Sequence, residues 1–266
     1  MLYFVSTPIG NLEDISLRAI SVLKDVDIIA CEDTRHSKIL LDHYDIKAKT
    51  IAYHKFNENN SADGIISLLK EGKNVAVISD AGMPVISDPG NVLAKKLHEQ
   101  NIKYTIIPGA NAGLSALVLS GFDATQFAFF GFLSEKNKEL KKQTTDMQNF
   151  NGTKIVYSSK YNINKDLNTL YNVLGNVNVA IVSEITKMHE NCQIITLPYE
   201  LEDPKGEFVI VIENKIKETT IPTDKELIEE LKSLLKTEDK NSAIKILKEK
   251  YSLTKSYIYN LYEKNK

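Results

Sequence analysis

Little in this chain is extreme, and its shortages narrow the chemistry first. Its 266 residues carry 33 basic and 35 acidic side chains, a formal charge of −2. No global positive charge announces a polyanionic partner, so any nucleic-acid surface has to be local. The two cysteines, Cys31 and Cys192, form no spaced motif. Nothing therefore points to a disulfide framework, and each reads as a buried free thiol. No apolar run approaches the roughly 20 residues of a membrane span. The start, Met-Leu-Tyr-Phe-Val-Ser-Thr-Pro, lacks the basic flank and apolar core of a secretion signal. Together these predict a cytoplasmic protein with no membrane partner. The dinucleotide fingerprint G-x-G-x-x-G and the phosphate loop G-x-x-x-x-G-K-[ST] are missing, which argues against NAD and nucleoside triphosphates. Arginine is scarce as well: Arg18 and Arg35 stand among 31 lysines. In such a chain an arginine marks a place for a planar, bidentate fork.

What is present is a repeated pattern of apolar strand, polar loop and helix. Val75 to Ile78 reads as a buried strand, followed over 79–90 by two Ser-Asp pairs, two glycines and two prolines. Val92, Leu93 and Leu97 then resume at helical spacing. This connection exceeds the usual two to six residues. A glycine-bearing loop at a strand's carboxyl end is where open α/β sheets take ligands.

Along the chain, Leu2 to Val5 is a strand leading into Thr7–Asn11, and Leu17, Ile20 and Leu23 mark the inward face of a helix. Val26 to Ala30 is a strand ending at Cys31–His36, followed by a helix through Ile39, Leu40 and Tyr44 and an extended segment from Thr50. After Asn57–Asn60, Ser61 caps a helix through Ile65, Ile66, Leu68 and Leu69. Ile102 to Ile107 is a strand stopped by Pro108–Gly113, before a helix through Leu114, Leu117 and Val118 that Gly121 closes. This alternation predicts a mainly parallel sheet over 1–121. Strands at 127–132, 154–158, 179–182, 194–197 and 207–212, with helices over 135–147 and through Leu167–Leu174, predict a mixed sheet over 122–214. A polar linker follows at 215–222. Helical periodicity over 222–266 predicts a small unit like a helix-turn-helix. Residues 236–266 carry eight lysines against four acids, compatible with a solvated bundle or with RNA contact.

The ordered set Ser6–Asp14, Cys31–His36, Ser79–Gly90, Pro108–Ala112, Gly131–Leu133 and Glu184–Glu190 resembles one family throughout. It is the small-subunit ribosomal RNA 2′-O-methyltransferase I family, a branch of the tetrapyrrole methylase superfamily. The likeness covers about residues 1–213, with a weaker match around Ser252–Tyr262. It implies a bilobal α/β fold with S-adenosylmethionine between the lobes, in a homodimer. It also implies methylation of a cytidine ribose in the decoding centre of 16S RNA, expected within the 30S subunit. Carried over by position, Ile9, Ala81, Gly82, Met83, Ile86, Asn111 and Ala112 would line the cofactor site from the first lobe. Tyr157, Ser158, Glu184 and Ile185 would do so from the second. The chain departs from the family at Met83, at Tyr157–Asn162, at Ser183 and around 136–142.

Methyl transfer to a ribose hydroxyl needs alignment and dryness, with a base or a positive charge to help the oxygen lose its proton. Asp33 is the candidate base, Lys187 the candidate charge, and Arg35 a candidate phosphate grip. A structural ion pair is the competing reading of Asp33-Thr34-Arg35. No metal is required, since Asp80 and Asp88 suit loop N–H groups. Two other functions stay open: methylation of a tetrapyrrole or a modified protein residue, and a silent RNA-binding assembly factor.

Overall fold

A computed structural model describes residues 1–54, 58–214, 222–251 and 253–264. The expected linker over 215–222 lies outside them, Pro222 apart, as do Asn57 and Ser252. The first sheet takes β1 (Leu2–Val5), β2 (Ile28–Cys31), β3 (Lys49–Ala52), β4 (Val75–Ile78) and β5 (Tyr104–Ile107), in the order β3-β2-β4-β1-β5. Every pairing is parallel. β2 and β4 are buried at each position, as central strands between two helical layers must be.

On one face α1 (Leu17–Asp25) and α2 (Thr34–His43) set Leu23, Leu40 and Leu41 against Ile29 and Ile78. On the other, α3 (Glu58–Lys70) and α4 (Asn91–Glu99) set Ile65, Ile66, Leu93 and Leu97 against Leu2, Val75 and Val77. Full burial of one such leucine is worth about 2 kcal/mol. β1 and β4 are neighbours, yet the helices that follow them lie on opposite faces. The loops leaving their carboxyl ends therefore diverge and open a crevice.

The second sheet takes β6 (Phe127–Phe132), β7 (Thr153–Ser159), β8 (Asn178–Ser183), β9 (Asn191–Thr196) and β10 (Glu207–Ile212), in the order β6-β7-β10-β8-β9. Only β6 and β7 run parallel, which makes the sheet mixed. α6 (Asn137–Asn149) and α7 (Ile163–Leu174) cover one face through Met147, Leu167 and Leu170. The other face holds α5 (Ala112–Ser120), whose Ala116 and Leu117 meet Ile155, Val182 and Val209. α5 follows β5 in the chain but packs on the second sheet. It ends on Gly121 at φ 66, in the left-handed region that closes helices.

Three local expectations are corrected. Leu17 is 86% exposed, because the α1 cap at Ser16 turns Ala19 and Leu23 inward instead. Ile39 is likewise exposed, and Leu40 and Leu41 take the buried stripe of α2. α3 begins at Glu58, so Ser61 sits a turn inside the helix rather than capping it.

The chain divides into two compact units, Met1–Asn214 and Lys215–Lys266. The second contains α8 (Asp224–Leu234), α9 (Lys240–Tyr251) and α10 (Lys255–Lys264), around Leu231, Ala243, Ile244, Leu247 and Ile258. Thr223 and Glu226 cap α8 reciprocally. Among the described residues, no helix is long and apolar enough to cross a membrane.

Candidate active site

The loop after β4 is fastened to the loop after β1. Thr7 and Gly82 exchange two main-chain bonds, Thr7 N–H to Gly82 O at 2.9 Å and Gly82 N–H to Thr7 O at 3.1 Å. The Thr7 hydroxyl donates to Ser79 O at 3.2 Å, and the Ser79 hydroxyl to Gly82 O at 3.3 Å. Gly82 has φ 82, and a Cβ there would stand 3.2 Å from Ile9 Cγ2. Glycine is what that backbone requires.

Farther along, Val85 and Ser87 hold φ 78 and 70 without being glycine. Left-handed residues cost about 1–2 kcal/mol each and persist where the surroundings over-determine them. The far end of the loop is tied to α3. Glu58 Oε1 accepts from Gly90 N–H at 2.7 Å, Val92 N–H at 3.2 Å and the Tyr53 hydroxyl at 3.3 Å.

The opposing wall begins at α5. Asn111 caps it, its Oδ1 accepting from Leu114 N–H at 2.9 Å, while the Tyr157 hydroxyl accepts from Gly113 N–H at 3.1 Å. Phe129 and Phe132 meet the Tyr157 ring edge-on at 4.7 and 5.5 Å. Burial and the charges of Asp88 and Glu207 push the Tyr157 hydroxyl pKa up, so it stays protonated at neutral pH.

The turn after β8 completes the wall, with Glu184 and Thr186 at φ 50 and 65. Gly10 lies so close that a Cβ would come within 2.8 Å of Ile185 O and Thr186 Oγ1. Asn11 N–H donates to Thr186 Oγ1 at 3.1 Å, latching the first sheet's loop onto the second sheet's turn. Glu184 Oε1 accepts from Lys187 Nζ at 3.1 Å and from Glu207 N–H at 3.4 Å.

Between these walls lies a cleft of about 360 Å³. Ile9, Ala81, Gly82, Met83 and Ile86 line it from the first sheet, and Asn111 and Ala112 from α5. Tyr157, Ser158, Glu184 and Ile185 line it from the second sheet, with Lys187 beside them. The structure thus brings together all eleven positions that the resemblance gave to a cofactor. Ser158 offers no free hydroxyl, because it donates to buried Asp166 at 2.6 Å on the α7 side.

Asp33 and Arg35 are not part of the lining. Asp33 caps α2, and its carboxylate accepts from Arg35 N–H at 2.8 Å, Nε at 3.2 Å and Nη2 at 2.9 Å. These bonds pull the Asp33 carboxyl down to about 2. Its main-chain N–H reaches the cleft indirectly, donating to Asp80 Oδ1 at 3.0 Å.

Sequence reasoning left out several lining residues, among them Glu32, Phe132, Glu207 and Phe208. Glu32 and Phe132 sit inside motifs already singled out, so their strand-end positions were a usable signal. Glu207 and Phe208 open an unremarkable apolar strand, and only antiparallel pairing to β7 and β8 brings them in.

Glu32, Asp80, Asp88, Glu184 and Glu207 are five carboxylates facing one lysine, Lys187. A cleft of that composition favours a cationic ligand. Among the described residues, no group of three or more His, Cys, Asp or Glu is placed to hold a metal ion.

Residues 1–199 match the model of the tetrapyrrole (corrin/porphyrin) methylases. A protein of Mycoplasmopsis pulmonis named ribosomal RNA small subunit methyltransferase I is 45% identical over 219 residues, 79% of this chain and 96% of that one. One of the same name from Pasteurella multocida is 38% identical over 267 residues, 97% of this chain and 95% of its own. The chain belongs to the tetrapyrrole methylase family, in its ribosomal RNA small subunit methyltransferase I branch. Solved structures share the fold at low identity. The methyltransferase CobJ superposes with a TM-score of 0.63 at 16% identity, over 80% of this chain and 94% of that one. Uroporphyrin-III-C-methyltransferase from Thermus thermophilus gives 0.57 at 17%, with the same coverage.

Proposed function

We propose that the cleft binds S-adenosylmethionine and that the chain transfers its methyl group to the ribose 2′-hydroxyl of a cytidine in the 16S decoding centre, within the 30S subunit. The observation that carries the reading is one cleft combining glycine-opened main chain, an apolar wall and an excess of carboxylates. A ligand bearing a sulfonium, an ammonium and an adenine matches all three. Main chain at 81–83 and 111–112 suits the amino-acid end, while Met83, Ile86 and Phe132 offer the base an apolar slot.

When bound, that cofactor supplies a methyl group activated by a positively charged sulfur. The residues of this chain have three tasks. The fastened loops at 7–11 and 79–90 fix orientation, which supplies much of the catalysis in an in-line displacement. Ile86 and Phe132, exposed in the open cleft, together with the Tyr157 ring would be covered by the bound cofactor and so shut water out. Lys187 places a positive charge at the cleft, where a ribose oxygen losing its proton is stabilised. A carboxyl held near 2 is a weak base at neutral pH. We therefore assign Asp33 the setting of Asp80 through its N–H, and the exposed Arg35 guanidinium a grip on a phosphate.

A homodimer in the cytoplasm fits this reading. α5 is apolar on both sides: Ala116 and Leu117 are buried, while Leu114, Val118 and Leu119 stay exposed, as does Ile194 of β9. A helix apolar all round is normally covered, here by a second copy.

The test is mass spectrometry of 16S RNA from a strain lacking the gene. One decoding-centre cytidine should lose its 2′-O-methyl and regain it on complementation. An unchanged methylation map refutes the assignment.

A further inference from the structure

Tyr161 is one of the largest apolar surfaces the protein leaves in water, at 84% exposure. It adds nothing to either core, and it stands just past the end of β7, two residues after Ser159 of the cleft lining. Its neighbour Lys160 holds an ammonium 4.9 Å from the centre of its ring. The Lys160 N–H donates to Gly206 O at 3.2 Å, which ties the pair to the residue preceding Glu207, another lining residue. Glu207 is in turn bonded to Glu184, the partner of Lys187. A chain of bonds thus runs from the exposed ring to the charged pair in the cleft. Buried Ile163, at the start of α7, anchors the segment two residues later.

An exposed aromatic ring backed by a cation, at the edge of a cleft whose own lining is acidic, suits a flat, electron-rich surface attached to a polyanion. We propose that Lys160 and Tyr161 form a stacking platform for a nucleobase of the RNA substrate, on the second-sheet side of the cleft. The ring stacks on the base and the ammonium meets the adjoining phosphate. Every base has a π-face, so the platform adds affinity and position rather than sequence choice. It also relieves the cleft of a conflict, because carboxylates that favour a cationic cofactor repel an RNA strand. The platform rests on the rRNA methyltransferase reading and specifies where that substrate is held.

The test measures methyl transfer to 30S subunits from a strain lacking the gene, alongside calorimetry with S-adenosylmethionine. Tyr161→Ala should raise KM for 30S about tenfold or more, with cofactor affinity unchanged. Tyr161→Phe should stay near wild type, since the face of the ring and not its hydroxyl is used. The chain contains no tryptophan, so Tyr161→Trp introduces a single indole whose fluorescence should be quenched by substrate RNA. Wild-type KM in Tyr161→Ala, or an indole unaffected by RNA, overturns the platform while leaving the methyltransferase reading intact. A wild-type protein that binds the cofactor but transfers nothing to 30S overturns both.

Discussion

At the scale of single residues, Gly82 and Asp33 make opposite kinds of prediction. Gly82 is irreplaceable on two counts, its φ of 82 and the 3.2 Å that would separate a Cβ from Ile9. Gly82→Asp should weaken S-adenosylmethionine binding at least tenfold, from backbone strain of about 1–2 kcal/mol together with a side chain occupying space the ligand needs. Calorimetry reads this directly, and unchanged affinity would remove the loop from the cofactor site. Asp33 titrates low because Arg35 holds its ionised form. A depressed carboxyl stabilises the fold fully above its unfolded pKa, near 4, and loses that contribution as pH falls towards 2. The melting-temperature gap between wild type and Asp33→Asn should therefore stay constant from pH 5 to 8 and close below pH 4. Single-turnover methylation by Asp33→Asn should stay within a few-fold of wild type if the residue is no base. A loss of a thousandfold would restore that role to it.

At the scale of elements, the first turn of α5 is bonded to the second sheet by the Tyr157 hydroxyl of β7. Tyr157→Phe keeps the ring contacts with Phe129 and Phe132 but leaves Gly113 N–H without its acceptor. We expect a loss of about 1 kcal/mol, roughly 2–4 °C in melting temperature. Cofactor affinity should drop with it, because Asn111 and Ala112 start that helix. The elements themselves were largely readable in advance. Strands such as Val75–Ile78 are buried on both faces and appear as unbroken apolar runs bounded by turn formers, a signal that needs no tertiary knowledge. Helix faces were less readable. Leu17 and Ile39 fit an apolar stripe by spacing, yet the side that meets the sheet is decided by capping and by the strands beneath. The cleft divided the same way. Residues in punctuated loops could be named from sequence, whereas Glu207 and Phe208 depend on strand pairings about 50 and 25 residues back along the chain. The sequence also left Asp33 open between a base and an ion pair, a matter of side-chain direction that residue order does not encode.

At the scale of the molecule, the cleft spans Ile9 to Val209 and so falls wholly within the first compact unit. A chain ending at Asn214 should fold and bind cofactor as tightly as the full protein. Methylation of 30S by the shortened chain tests whether the lysines of α9 and α10 contribute to RNA affinity, as a KM increase that is largest at low salt and shrinks as salt rises. Within the first unit the two sheets are latched where Gly10 meets Ile185 and Thr186. Gly10→Ala drives a methyl into main chain at 2.8 Å. It should cost about 2 kcal/mol and cofactor affinity together, read by thermal melts and calorimetry.

The left-handed residues at the rim carry a consequence for anyone wishing to make this protein hardier. Ser87 is exposed, so Ser87→Gly sacrifices no packing and releases conformational tension that the native chain keeps in reserve. The gain in heat resistance should come with slower turnover, since the same tension fixes the shape that Ile86 presents to the cofactor.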